Sequence, residues 1–219
     1  MQGLAKDTES IFRQVSTLPC LKEYTLIGGT ALALQIHNRK SEDMDFCIWS
    51  KNLKKDKPTV DWPSIEKDLE TAGKINSRDV LGFDQVNFIV NGVKISFIAK
   101  QTNLSPVRKP VVILNHISAA DIMALGAMKI ELILRRNEFR DYYDIYSILQ
   151  EGISLKELVQ KASNYSNHRL KTRDALSFLS NGNNYRKDRS FNLLDPYYDI
   201  DHKGIEEFLR SVIRREFKV

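Results

Sequence analysis

With 219 residues, 42% of them hydrophobic and 28% charged, the chain can bury a core without staples, and its composition excludes a collagen-like or disordered protein. Thirty-three lysines and arginines against 28 aspartates and glutamates leave a net charge of +5, a mild excess that fits a polyanionic partner without demanding one. Two cysteines, Cys20 and Cys47, are too few for a disulfide scaffold or a four-cysteine zinc site. Asp121 and Lys129 interrupt the best apolar run, around Ile117–Leu134, and Met1–Phe12 lacks the charged-then-apolar layout of an export signal. A cytoplasmic protein without a membrane segment is the expectation.

In chain order, Tyr24–Ile27 reads as a buried strand stopped by Gly28-Gly29, after which Thr30 can cap a short helix over Ala31–Ile36. Met44–Trp49 reads as a second strand and the lysine-rich Lys51–Lys57 as a loop. Asp61 can cap a helix that carries Pro63 in its first turn and ends near Gly73. Gln85–Val90 and Val93–Ala99 alternate with period two about Asn91-Gly92, the dipeptide of a type I′ hairpin turn. Val111–Leu114 is a short apolar run; from Ser118 helical periodicity continues to Gln150. Further helices are predicted at Ser154–Ala162, His168–Leu179 and Lys203–Phe217, with Asn181–Asp201 a loop by composition. The expected architecture is an α/β (α+β) mixed sheet with helices over residues 1–110, followed by a C-terminal helical bundle over 111–219.

The densest chemistry lies in Leu26–Phe46. Glycines at a strand-to-helix junction let a phosphate approach the backbone amides and the helix N-terminus, and Thr30 adds a hydroxyl there. Asp43 and Asp45, at i and i+2, project from one face of their strand while Met44, Phe46 and Ile48 face the core. Adjacent carboxylates repel unless a divalent cation joins them, and hard oxygen ligands suit Mg²⁺. Singly, a Gly-Gly pair is an ordinary turn and an Asp-x-Asp an exposed edge; their order and spacing make them one candidate site.

A second dense stretch runs from Ala127 to Tyr146. On an unbroken helix Lys129, Arg136, Arg140 and Asp144 share one arc, with Asp141 farther round, and Asn137 is the point where such a helix would break. The stripe can grip phosphates, or it can be a solvated face with i,i+4 pairs such as Arg140–Asp144.

Gly28-Gly29-Thr30, twelve residues, then Asp43-x-Asp45 resembles the signature of the DNA polymerase β-like nucleotidyltransferase superfamily. Gly-Gly-Thr-Ala-Leu-Ala-Leu with Arg39-x-Ser41-x-Asp43-x-Asp45-Phe46 is similar, more narrowly, to the AbiEii/AbiGii toxin family. Lys129 and Arg140-Asp141-Tyr-Tyr-Asp144 resemble that family's C-terminal motifs. The resemblance implies a Mg²⁺-dependent transfer of a nucleoside monophosphate from an NTP. Asp43 and Asp45 would ligate the metal; Gly28, Gly29, Thr30, Arg39, Ser41, Lys129 and Arg140 would contact the nucleotide; and Asp141 or Asp144 would complete a site in the cleft between the two halves. It also implies a tRNA or other RNA acceptor and a cognate antitoxin. The superfamily's usual third carboxylate is missing from the obvious later strand, where Ser96 stands.

Two other readings remain open. One is a small hydroxyl acceptor such as an antibiotic, which the basic excess disfavours. The other is a nucleotide- or RNA-binding module without turnover. The basic residues of Arg169–Arg189 are a candidate RNA contact. His37, His116, His168 and His202 are too isolated for metal ligation, Cys47 reads as a small buried residue, and Tyr142, Tyr143 and Tyr146 read as packing.

Overall fold

A computed structural model describes residues 1–50, 59–101, 105–182, 185, 188 and 190–218. The loop expected at Lys51–Lys57 lies outside the described residues. The chain forms two compact units, Met1–Asp121 and Ile122–Val219.

The first unit opens with α1 (Lys6–Val15) and a 3₁₀ turn at Pro19–Glu23, followed by β1 (Thr25–Ile27), α2 (Gly28–Ile36), β2 (Met44–Ser50) and α3 (Trp62–Ala72). The strands β3 (Ile75–Gly82), β4 (Gln85–Val90), β5 (Val93–Gln101), β6 (Val111–Leu114) and β7 (Ile117–Ala119) complete it. All seven strands join one mixed sheet in the order β3-β4-β5-β2-β1-β7-β6. The pairs β2/β5 and β1/β7 are parallel and the remaining neighbours antiparallel.

Local chemistry explains several of these boundaries. Asp61 accepts from the Ser64 amide and Pro63 sits in the first turn of α3, whose end is set at Gly73. Asn91 and Gly92 both have positive φ, 48° and 83°, as a type I′ turn requires, so the β4–β5 register follows from the dipeptide. Alternation then sorts the sheet's two faces. Met44 and Phe46 of β2, Ile95 and Phe97 of β5, and Val86 and Phe88 of β4 are buried on one face. Phe97 lies at the centre of that face, stacked on Phe46 and met edge-on by Tyr24 and Phe88. Arg78 of β3, paired with Phe88, lies over the Trp62 ring and bonds Glu66, which places α3 across this face. On the opposite face the register sets Asp45, Ser96, Asn87 and Asp79 in one row across four strands.

The first unit differs from the sequence reading in several elements, beginning with α1 and the 3₁₀ turn, neither of which was expected. α2 starts at Gly28 with Ile27 at the N-cap, a side chain that has no acceptor, so Thr30 lies inside the first turn and caps nothing. β3 was not expected: it is an edge strand, exposed along most of its length, and carries no alternating apolar pattern. Ser118 and Ala119, read as the start of a helix, belong to the three-residue strand β7 (Ile117–Ala119), closed against β1 in the sheet interior. β6 and β7 thus lie past the expected boundary at residue 110 and belong to the sheet of the first unit.

The second unit contains α4 (Ile122–Leu132), α5 (Phe139–Gln150), α6 (Leu155–Tyr165), α7 (Thr172–Leu179) and α8 (His202–Phe217). A 3₁₀ turn at Phe191–Leu194 interrupts the expected loop at Asn181–Asp201. The helix predicted through Gln150 is two helices, since α4 ends before Asn137. Tyr142 and Tyr143 are fully buried, Tyr142 stacked on Tyr185 with centroids 3.6 Å apart, so this run packs the unit's core. Ser154 caps α6 by accepting from the Glu157 amide, and donates to Glu216 Oε2 of α8 at 2.8 Å. Ser154→Ala removes both bonds and is expected to cost about 1–2 kcal/mol, read as a lower urea midpoint at unchanged m-value.

Candidate active site

The β1–α2 junction brings most of the first motif together. Gly28 has φ +73°, and a Cβ there would stand 2.8 Å from Asp45 Oδ2. Only glycine satisfies both demands: it adopts the left-handed backbone and leaves room for the carboxylate. Asp45 is held beside the turn because β2 pairs with β1, with Asp45 opposite Ile27. Asp43 immediately precedes β2 and is exposed. At Gly29 a Cβ would meet Arg39 Nη2 at 2.7 Å and Ser41 Oγ at 3.2 Å. The Arg39 guanidinium therefore lies directly behind the turn, 5% exposed, donating from Nη1 to the Lys40 carbonyl oxygen at 3.0 Å. A buried cation behind a helix N-terminus raises the potential where the first amides of α2 lack intrahelical partners. That combination favours an anion.

Thr30 (1% exposed) and Ser41 (6%) lie beneath this surface. Thr30 Oγ1 is 2.8 Å from Ser41 Oγ and bonds the Asp43 carbonyl oxygen. On the neighbouring strand, Ser96 pairs directly with Asp45 and is buried. The strand register thus puts a neutral hydroxyl at the position where a third carboxylate is expected. Among the described residues no cluster of three His, Cys, Asp or Glu side chains is placed to hold a metal ion. Asp45 presents a hard oxygen donor against the anion-favouring turn and the exposed Asp43, two residues earlier, carries a second, donor chemistry that fits a divalent cation sharing its coordination with phosphate oxygens.

The second motif forms a separate cluster inside the helical unit. Asp141 and Asp144 occupy one face of α5, three residues apart. Both are fully buried, and both meet Lys129 Nζ of α4, at 2.8 and 2.7 Å. Lys129 is 5% exposed. Arg136, in the turn between the helices, bonds both oxygens of Asp141 at 2.8 and 3.1 Å. Burial alone would raise the Asp141 carboxyl; the Lys129 charge and the Arg136 and Lys129 hydrogen bonds outweigh it and hold it below the ordinary carboxylate value. The arc expected of one continuous helix does not exist, because the chain turns between Leu132 and Phe139 and folds the aspartates back onto the lysine. Arg140, expected at the nucleotide or paired with Asp144, bonds Asp188 at 2.7 and 3.0 Å. No local pattern announces that partner, 48 residues away.

Cys47, buried on the Asp45 strand, has its thiol pushed up to about 12 by burial, which disfavours the thiolate. His37 caps α2 in a left-handed conformation with Nδ1 3.1 Å from the Ala33 carbonyl, and His116 Nδ1 stands 3.1 Å from the Leu18 carbonyl.

A model of the family described as "Nucleotidyl transferase AbiEii toxin, Type IV TA system" matches residues 11–216, nearly the whole chain. The chain belongs to the AbiEii nucleotidyl transferase toxin family. Nucleotidyl transfer is therefore its activity class and an NTP its substrate. An uncharacterized protein of Aquifex aeolicus is 28% identical over 163 residues, covering 72% of this chain and 73% of that protein. Two Helicobacter pylori crystal structures share the fold. One is of a candidate nucleotidyltransferase (TM-score 0.55, 15% identity, 98% of each chain). The other is of JHP933 (TM-score 0.55, 16% identity, 98% of this chain and 95% of that one). No helix among the described residues is long and apolar enough to cross a membrane.

Proposed function

We propose that this AbiEii-family chain is a Mg²⁺-dependent toxin of a toxin–antitoxin or abortive-infection system, transferring a nucleoside monophosphate from an NTP to an RNA acceptor such as the 3′ end of tRNA. One observation carries the reading: the glycine turn that would admit phosphate touches the carboxylate that would hold the cation, with Asp45 Oδ2 2.8 Å from where a Gly28 Cβ would stand. The amides of Gly28, Gly29 and Thr30 donate to phosphate oxygens, and the Arg39 charge behind them adds to the attraction. Asp43 and Asp45 hold Mg²⁺, which when bound neutralises charge on the reacting phosphate and the departing pyrophosphate. Lys129, Asp141, Asp144 and Arg140 enter the proposal through the family's motifs, and the Lys129 ion pairs support it by fixing the ammonium in place.

Arg169, Lys171 and Arg173, exposed around the start of α7, support a polyanionic acceptor. Arg186, Lys187 and Arg189 of the same basic stretch lie outside the described residues. The family description, a type IV toxin, supports a cognate antitoxin. Incubating the protein with each α-³²P-NTP, total tRNA and Mg²⁺ tests the proposal. Labelled RNA from at least one NTP is expected, and its absence with every NTP overturns the reading. Ser96 beside Asp45 favours a second reading, a module that binds Mg²⁺–NTP without turnover. That reading predicts nucleotide-dependent thermal stabilisation with no product, and detectable transfer excludes it.

A further inference from the structure

We infer that Thr30 and Ser41 act as positioning residues for Asp43, and that their hydroxyls do not touch the nucleotide. The inference rests on the proposed reading of the site and deepens it. A hydroxyl carries one proton. Thr30 Oγ1 lies against the Asp43 carbonyl oxygen, which can only accept, so the Thr30 proton is committed there. Ser41 Oγ stands 2.8 Å from Thr30 Oγ1; with the single Thr30 proton on the Asp43 carbonyl, Ser41 is left to donate across that contact. The relay runs from Ser41 to Thr30 to the Asp43 main chain. Both protons are used inside it, and phosphate oxygens accept only, so neither hydroxyl has a donor left for a triphosphate. Burial agrees: at 1% and 6% exposure neither side chain reaches the surface of the turn. Of Thr30, only the backbone amide remains for phosphate.

The relay spans the part of the chain that most needs it. Asp43 precedes β2, so no ladder bond of that strand orients it, unlike Asp45 between β1 and β5. The Thr30 bond ties the Asp43 main chain to the first turn of α2, the same turn that carries Gly28 and Gly29. One threonine thereby keeps the two halves of the site, amides and metal carboxylate, at a fixed separation. Leu4 forms a bridge with Ser41, anchoring the far end of the relay to the segment before α1.

Thr30→Val keeps the shape and removes the hydroxyl; Thr30→Ser keeps the hydroxyl. Two titrations by calorimetry test the inference: ATP in EDTA, and Mg²⁺ at saturating ATP. Thr30→Val is expected to bind metal-free ATP within twofold of the wild type while its half-saturating Mg²⁺ rises about tenfold. Thr30→Ser is expected to restore the wild-type midpoint, and Ser41→Ala to raise it about threefold. In the protein without ligand, the Asp43 carbonyl ¹³C resonance is expected to move in Thr30→Val and to stay in Thr30→Ser. Loss of metal-free ATP affinity in Thr30→Val with an unmoved Mg²⁺ midpoint shows a direct phosphate contact and overturns the inference alone, as does wild-type behaviour in both titrations. A wild-type protein that binds no NTP overturns the reading of the site and the inference with it. If Thr30→Val fails to fold, Ser41→Ala carries the same test.

Discussion

Asp43→Ala and Asp45→Ala are each expected to reduce nucleotidyl transfer by at least about 10³-fold, roughly 4 kcal/mol of transition-state stabilisation, without loss of folding. The two side chains contribute the negative charge at the turn and have no role in the apolar face formed by Met44 and Phe46. Asp43 is exposed, so the melting temperature of the metal-free Asp43→Ala protein should hold. Activity falling while stability holds separates a ligand role from a structural one. A parallel fall in both, measured by labelled-NTP incorporation and thermal unfolding, would show that the aspartates serve the fold.

Lys129→Met is expected to show the opposite balance, a large loss of stability. It leaves Asp144 and Asp141 buried without their shared ammonium, and breaking one partner of a buried ion pair costs about 3–5 kcal/mol. A second substitution, Asp144→Asn, removes one of the stranded charges and should recover part of that loss, a coupling that a double-mutant cycle in guanidinium chloride measures. The pH dependence has a definite sign. The folded Asp141 carboxyl is held below its unfolded value, so its contribution is present above the unfolded value of about 4 and disappears as the pH falls through the folded one. The wild type should therefore lose stability below about pH 4, and Lys129→Met should lose less over the same interval.

Much of this molecule is legible in its sequence wherever a local rule decides the outcome. Asn91-Gly92 can adopt the positive φ values of a two-residue turn, so the β4–β5 hairpin follows from two letters. Asp61, Pro63 and Gly73 bracket α3 by their own backbone chemistry. The Gly-Gly turn and the Asp-x-Asp strand end are legible for the same reason: a phosphate-admitting turn needs glycine, and the carboxylates announce themselves. What escapes is settled between distant parts of the chain. β3 is polar because it is an edge, and β7 is three residues whose strand character comes from lying against β1. Periodicity carried Lys129 and Asp144 onto one helix, whereas a turn of six residues sets them face to face. Thr30 has the composition of a cap and of a phosphate ligand, and only the position of Ser41 and of the Asp43 carbonyl decides where its proton goes.

The parallel pairings have a consequence for the order in which the protein can be made. β2 follows β1 closely in the chain, but its other neighbour, β5, ends at Gln101, and the second neighbour of β1 is β7, Ile117–Ala119. A ribosome extruding this chain releases the glycine turn, Asp43 and Asp45 early. They then wait on a two-stranded fragment, which is marginal in water, until some fifty more residues give β2 its second edge. Thr25 and Leu26 wait longer still, for Ser118 and Ala119. Between residues 45 and 119, about a third of its synthesis, a nascent AbiEii-family chain thus holds its glycine turn on an unfinished sheet, and it acquires a fixed turn only when the first unit is nearly complete.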